Sequence, residues 1–258
     1  MPHAFLLHLT SSDPRHPRYP GLYAHGLFFA LLKKLDPDLA SRIHAAPRKP
    51  FTLAVLGNKE GLELRVTTLD DELFTPLLKI LLSESVHGLP LGEQSFSLSK
   101  VVATPQGDPL AGFRTWQELA QAEPTRWLRL HFSSPTVFTT SKADKRTRHT
   151  PLPDPFLVAK SLLSSWQYHS PLRFSDREAA ALLTTFELDL ELTRFNNLRF
   201  EKAQAAKGFF PGFTGQIEVY CHCDSLQVQQ ALGTLRAFSF YAGVGAKTTY
   251  GLGLTVPI

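Results

Sequence analysis

The sequence predicts an α+β chain in which the element order β-α-β-β-α-β occurs twice. Three observations carry that reading. Strand-like alternation and helical spacing follow one another in that order through the first half, and the second half repeats the order more loosely. The third is size: 258 residues, 43% hydrophobic and 19% charged, suffice for two cores in units of roughly 100 to 150 residues.

Taking the elements in turn, Ala4–Thr10 alternates as a strand, and Ala24–Leu35 carries apolar residues at helical spacing. A second short helix follows, capped by Asp36 and opened by Pro37, the residue pair that starts helices most readily. Phe51–Leu56 and Leu62–Thr68 read as strands joined across Gly57-Asn58-Lys59-Glu60-Gly61, a hairpin signal. A helix over Asp71–Leu82 and a strand over Ser95–Ala103 complete the first set.

The second set opens with a strand at Trp127–Phe132, continues through helices at Asp154–Tyr168 and Asp176–Thr185, and then strands at Glu187–Arg194 and Leu198–Lys202. A strand at Thr214–Cys223, a helix at Asp224–Ala237 and a last strand beyond Tyr250 close it. Two split βαβ units make a tandem ferredoxin-like (RRM-like) arrangement. The polar stretch Gln121–Thr125 divides the chain into residues 1–122 and 123–258. The halves share negligible identity, so the repeat is one of element order alone.

Lys and Arg number 27 against 23 acidic residues, a net charge of +4, and ten His add titratable positive charge. That balance suits a polyanionic partner without demanding one. Ala4–Leu9 is apolar but short and lacks a basic flank, so it is expected to be a first strand, not a leader, and no apolar run approaches the roughly 20 residues that span a bilayer. A cytoplasmic protein with no membrane partner is the expectation. Cys221 and Cys223 lie two apart in a strand-like run, spacing unsuited to an ordinary disulfide, and no second Cys or His pair accompanies Cys221-His222-Cys223 to build a zinc site. No metal and no cofactor are expected. The aromatic runs Phe209-Phe210 and Phe238–Tyr241 read as core.

The most specific feature is Gly243-Val244-Gly245-Ala246-Lys247-Thr248-Thr249-Tyr250-Gly251-Leu252-Gly253. Glycines at 243, 245, 251 and 253 let the backbone approach a phosphate and offer N–H donors, while Lys247, Thr248 and Thr249 add a cation and two hydroxyls. A Walker-type loop needs Gly directly before Lys-Thr, where Ala246 stands, so a nucleotide-binding loop of that kind is excluded. The plain alternative is a tight turn joining the last helix to the last strand.

This Gly-x-Gly, basic residue, Gly-x-Gly pattern resembles the glycine-rich loop of the repeat-associated RNA-binding superfamily, in particular the Cas six family of CRISPR repeat endoribonucleases. Further stretches fit the family in order along nearly the whole chain. They are His25-Gly26-Leu27-Phe28-Phe29 with Ile43-His44 and Lys49-Pro50-Phe51-Thr52-Leu53, then Leu128–Thr136, then Gly212-Phe213-Thr214-Gly215.

The resemblance implies two ferredoxin-like domains and recognition of CRISPR repeat RNA, both the precursor transcript and the retained guide. It also implies cleavage by a ribose 2′-hydroxyl without a metal, leaving 5′-hydroxyl and 2′,3′-cyclic phosphate ends. A His at the position of His44 is the usual catalytic residue of the family, and a second group often stands where His25 does. His suits proton transfer because its reference pKa is about 6.5. His25 is read as beginning its helix, where a phosphate would be favoured. The sequence leaves open which His is acid and which is base. Lys49, or failing it Arg48, is expected to stabilise the developing charge.

A basic stretch, Lys142-Ala143-Asp144-Lys145-Arg146-Thr147-Arg148-His149, reads either as a solvated loop or as a phosphate grip through Lys142, Lys145, Arg146 and Arg148. Arg194, Arg199, Lys202 and Lys207 rank below it. Two other classes stay open: a non-catalytic RNA-binding subunit of a CRISPR effector complex, against which His25, His44 and Lys49 argue, and a housekeeping RNA- or protein-binding module. An effector complex and a homodimer are the further partners left open.

Overall fold

The computed structural model describes residues 1–11, 20–57, 62–81, 88–141, 147–205 and 208–258. The chain forms two compact units, Met1–Arg114 with Thr248–Gly251, and Thr115–Lys247 with Leu252–Ile258. The sequence sets its division at 122/123. The chain divides earlier because residues 115–122 belong to the second unit: Gln230 donates to the carbonyls of Ala120 and Ala122, and Thr234 to that of Ala120.

The first unit runs β1 (His3–Thr10), α1 (Pro20–Leu35), α2 (Pro37–Ala45), β2 (Phe51–Gly57), β3 (Leu62–Thr68), α3 (Asp71–Leu81), β4 (Leu89–Leu91), β5 (Gln94–Val102) and β6 (Gly112–Phe113). Its antiparallel sheet has the order β2-β3-β1-β5-β4, with β6 on the end of β1. The first four are the strands of one βαββαβ unit in ferredoxin-like order. Phe5, Leu7 and Leu9 of β1 pack with Leu27, Phe28 and Leu31 of α1 and with Phe51 and Leu53 of β2. The Asp36 carboxylate caps α2 by accepting from Leu39 N at 2.8 Å.

The second unit runs α4 (Trp116–Ala120), β7 (Trp127–Thr136), β8 (Phe138–Ser141), β9 (Thr147–Thr150), α5 (Pro155–His169), α6 (Asp176–Asp189), β10 (Leu190–Gln204), β11 (Phe209–Cys221), α7 (Leu226–Ala242) and β12 (Thr255–Pro257). The sheet order β10-β11-β7-β12 repeats that of the first unit, and β8 and β9 form a two-stranded sheet among the described residues. Leu128, Leu130 and Phe132 alternate onto the buried face of β7. Trp166 of α5 meets Trp116 and Phe238 edge-on and donates its indole N–H to the Leu172 carbonyl at 2.9 Å. The α+β tandem ferredoxin-like fold is therefore present.

Three readings need correction. Glu187–Arg194 and Leu198–Lys202 are not two strands: residues 187–189 end α6, and the remainder lies in the single strand β10. The interruption between them is a bulge, with Asn197 at φ 51 and a register shift between Asn196 and Arg199. Helix α1 begins at Pro20, so His25 lies in its second turn and gains nothing from the helix N-terminus. Of the aromatic runs, Phe238 and Tyr241 are buried, whereas Phe209 is exposed beneath the Lys202 ammonium.

Cys221 and Cys223 are free thiols; Cys221 is buried, which pushes its pKa up. His222 between them pairs with Glu191 at 2.7 Å. Among the described residues no helix is long and apolar enough to cross a membrane.

Candidate active site

Helices α1 and α2, the start of β2 and a 3-10 turn at Thr248–Tyr250 bring together an aromatic and imidazole cluster within the first unit. His25 and Phe29 are one turn apart on α1, so their side chains share a face. The rings meet at 4.9 Å between centroids with planes 60° apart. Phe29 in turn meets His44, in the last turn of α2, at 5.2 Å and 75°. Phe51, the first residue of β2, closes the cluster from below, 5.7 Å from Phe29 and 6.1 Å from His25.

The two imidazoles differ in setting. His25 is buried, and its Nδ1 lies 2.9 Å from the Thr249 carbonyl. A carbonyl can only accept, so Nδ1 carries a hydrogen and donates it to Thr249. Tyr250 stacks on the same ring at 4.0 Å and 15°. His44 is exposed at the helix end. Four residues beyond α2, the Lys49 ammonium donates to the Ala46 carbonyl at 3.3 Å, placing a cation where the helix dipole favours one. Arg48, beside it, is exposed.

The expected site residues thus divide. His25, His44, Lys49 and Arg48 lie together in the first unit, with Thr248, Thr249 and Gly251 of the glycine-rich segment. Gly243, Gly245, Lys247 and Gly253 belong to the second unit, as does Arg148, exposed on β9. Lys142, Lys145, Arg146 and Lys207 lie outside the described residues, as do residues 58–61 of the expected hairpin.

The glycines act first on the chain itself. Gly243, Gly245, Gly251 and Gly253 all have positive φ, and a Cβ on Gly245 would stand 2.6 Å from the Val137 carbonyl. The N–H groups of Gly243, Val244, Ala246, Leu252 and Gly253 bond to backbone carbonyls, and that of Gly245 to the Ser161 hydroxyl. Those donors, expected from the sequence to face phosphates, serve the loop's own fold. Lys247, itself at φ 62, holds its ammonium 5.9 Å from the Phe210 ring.

Sequence reasoning missed three parts of the cluster. Phe29 carried a signal, the four-residue spacing from His25. The Thr249 carbonyl and the Tyr250 ring carried none, because they lie more than 220 residues away along the chain, as the 224-residue separation of His25 and Thr249 shows.

The chain is similar over its whole length to a Cas6 solved as a product complex, with 53% identity, 100% of each chain covered and a TM-score of 0.95. The Cas6 of Thermus thermophilus matches with 50% identity, a TM-score of 0.83 and coverage of 100% of this chain and 98% of that one. The chain belongs to the Cas6 family. The sequence profile of that family, described as CRISPR-associated endoribonuclease Cas6, matches residues 130–255. A second Cas6 product complex is similar at 29% identity, with a TM-score of 0.83 and 100% and 99% of the two chains covered. No curated protein matches. The family is thus carried by the second unit's sequence as well as by the whole fold, and the ferredoxin-like tandem is the family's architecture.

Proposed function

We propose that the chain is a metal-independent endoribonuclease that cuts CRISPR repeat transcripts, with His25 and His44 as the proton-transfer pair. The observation that carries this reading is the Phe29 ring in contact with both imidazoles, which sets one buried and one exposed His on a single aromatic support. Membership of an endoribonuclease family and likeness to Cas6 product complexes support it.

The chemistry asks little of the protein because the nucleophile belongs to the RNA. The ribose O2′ attacks the adjacent phosphorus and loses its proton to a base; the P–O5′ bond breaks, and an acid protonates the leaving O5′. The products carry a 2′,3′-cyclic phosphate and a 5′-hydroxyl. Two imidazoles supply the proton transfers, and Lys49, with Arg48 beside it, offsets charge on the non-bridging oxygens. Repeat phosphates are held by Lys247, Thr248 and Arg148, with Lys142, Lys145 and Arg146 continuing the basic stretch.

The deciding experiment is cleavage of the host's repeat RNA in excess EDTA by the wild type and His44→Ala, with a second substrate carrying a single 2′-deoxy group at the cut. Cutting in EDTA that disappears with the deoxy substrate and in the variant, while binding persists, is the expected result. Binding without cutting by the wild type would instead make the chain an RNA-binding subunit.

A further inference from the structure

We infer that the Thr248–Gly251 turn is a positioning device for His25, in which the Thr249 carbonyl fixes the imidazole tautomer and the Tyr250 ring fixes its plane. The inference rests on the reading of His25 as a proton-transfer residue.

An imidazole in water exchanges its hydrogen freely between the two nitrogens and turns about χ2. Neither freedom remains at His25. The 2.9 Å contact from Nδ1 to the Thr249 carbonyl holds the hydrogen on Nδ1, because the reverse tautomer would set two lone pairs against each other. Turning the ring over would put a carbon against that carbonyl and leave Nδ1 without it. The stacked Tyr250 ring at 4.0 Å on one side and the edge of Phe29 at 4.9 Å on the other resist rotation between those states. Nδ1 is therefore committed to the Thr249 carbonyl, and the proton transfer proposed for His25 falls to its other nitrogen.

The turn is itself located against α1. A Cβ at Gly21 would come 1.9 Å from the Tyr250 carbonyl oxygen, so the first turn of the helix and the turn's backbone are in closest approach. Gly251 continues the path at φ 87, a conformation that side chains resist. Gly21, Thr249, Tyr250 and Gly251 thus form one unit of construction around one imidazole. This gives Tyr250 a role apart from gripping RNA: it touches His25 and acts on the reaction through it.

The test uses the full chain with Tyr250→Leu, Tyr250→Phe, Gly21→Ala and a His25→Gln control. Three quantities are read: the tautomer of His25 from the ring nitrogen signals of the RNA-free protein, the single-turnover cleavage rate at saturating repeat RNA, and the Kd for that RNA. In the wild type a single Nδ1–H tautomer is expected. Tyr250→Leu should mix the tautomers and slow cleavage by about ten-fold or more while leaving Kd within about threefold, since misplacement acts on the reacting geometry. Tyr250→Phe, which keeps the stacked ring, should restore one tautomer and a rate within about threefold of wild type.

Gly21→Ala keeps the identity of every named side chain but displaces the Tyr250 peptide, and should reproduce Tyr250→Leu; if Tyr250→Leu does not fold, Gly21→Ala decides by the same measures. A single tautomer and an undiminished rate in these variants would overturn the inference. So would equal loss of rate in Tyr250→Leu and Tyr250→Phe, which would make the hydroxyl, not the stack, the active part. Wild-type cleavage by His25→Gln would remove His25 from the reaction, a separate failure that the tautomer measurement does not share.

Discussion

The Phe29 ring presents itself edge-on to the His44 imidazole, 5.2 Å between centroids with the planes 75° apart, and the same ring meets His25. One phenyl group thereby supports two residues that come from different helices. Replacing it with Ala should slow single-turnover cleavage by about ten-fold to a hundred-fold, the scale on which misplacement of a reacting group acts. Since Phe29 is half-buried, the same change should lower stability by about 2 kcal/mol, measured by chemical denaturation. Phe29→Leu should recover most of the stability and less of the rate.

Removal of either imidazole should cost about 10² to 10⁴ in the rate of cleavage, the usual worth of general acid-base catalysis. The double variant His25→Ala/His44→Ala should fall well short of the product of the two losses, because the proposed mechanism has the two groups serve one step. Binding of the repeat, followed by filter retention, should stay within about threefold of wild type for all three.

Acid stability has a separate origin, at His3. Burial lowers its pKa to about 4, the neighbouring N-terminal ammonium acting in the same direction and Asp71 against it. Its ring lies stacked on Phe74 at 3.6 Å. The unfolded chain protonates near 6.5 and the folded one only near 4, so the contribution of His3 is complete above about pH 6.5 and is lost progressively down to about pH 4. The loss should reach about 3 kcal/mol at most. Unfolding midpoints in denaturant between pH 7 and 4 should show the decline in the wild type and a flatter profile in His3→Phe.

Glycine positions offer opposed expectations within one experiment. Gly26 is exposed in α1 with nothing within 4 Å of an added Cβ, so Gly26→Ala should raise stability by about 0.5 to 1 kcal/mol. Gly245 has φ 87 and a carbonyl 2.6 Å from its would-be Cβ. Gly245→Ala should therefore lower stability by about 1 to 3 kcal/mol, the usual range for a strained backbone position.

Salt dependence checks the basic surface. Arg148→Ala should weaken repeat binding at low salt and reduce the slope of log Kd against log salt by about one contact's worth, without altering the cleavage rate at saturation. An unchanged slope would remove Arg148 from the phosphate contacts.

The sequence disclosed what local chemistry writes locally. Helix α2 was legible because Asp36-Pro37 is both a cap and a start, and the position of His44 at its end followed directly. The first strands were legible from alternation. Where the reading failed, apolar periodicity was too coarse to find the boundary. The strand expected to break between Arg194 and Leu198 continues as β10, because the left-handed Asn197 makes a bulge, against which Gly215 packs with its would-be Cβ 2.7 Å from the Asn197 carbonyl. The helix expected from Ala24 starts earlier, because Pro20 opens α1 and Gly21 makes room for the Tyr250 carbonyl. Of the candidate site, the imidazoles and Lys49 were singled out from the motif and the family it resembles, while the Thr249 carbonyl against His25 was not, since a backbone carbonyl leaves no mark in residue types.

The assignment of Thr248–Gly251 to the first unit has a consequence for modular engineering. The gene segment encoding residues 1–114 would specify the described strands and α-helices of that unit and yet omit four residues of it, including the one whose carbonyl meets His25. A split protein, a chimaera of two relatives joined near the middle, or a circular permutant must carry that tetrapeptide with the N-terminal half, or rebuild it from the other parent with a matching glycine at position 21. Recombination at the apparent midpoint of the gene would separate an imidazole from its own hydrogen-bond acceptor.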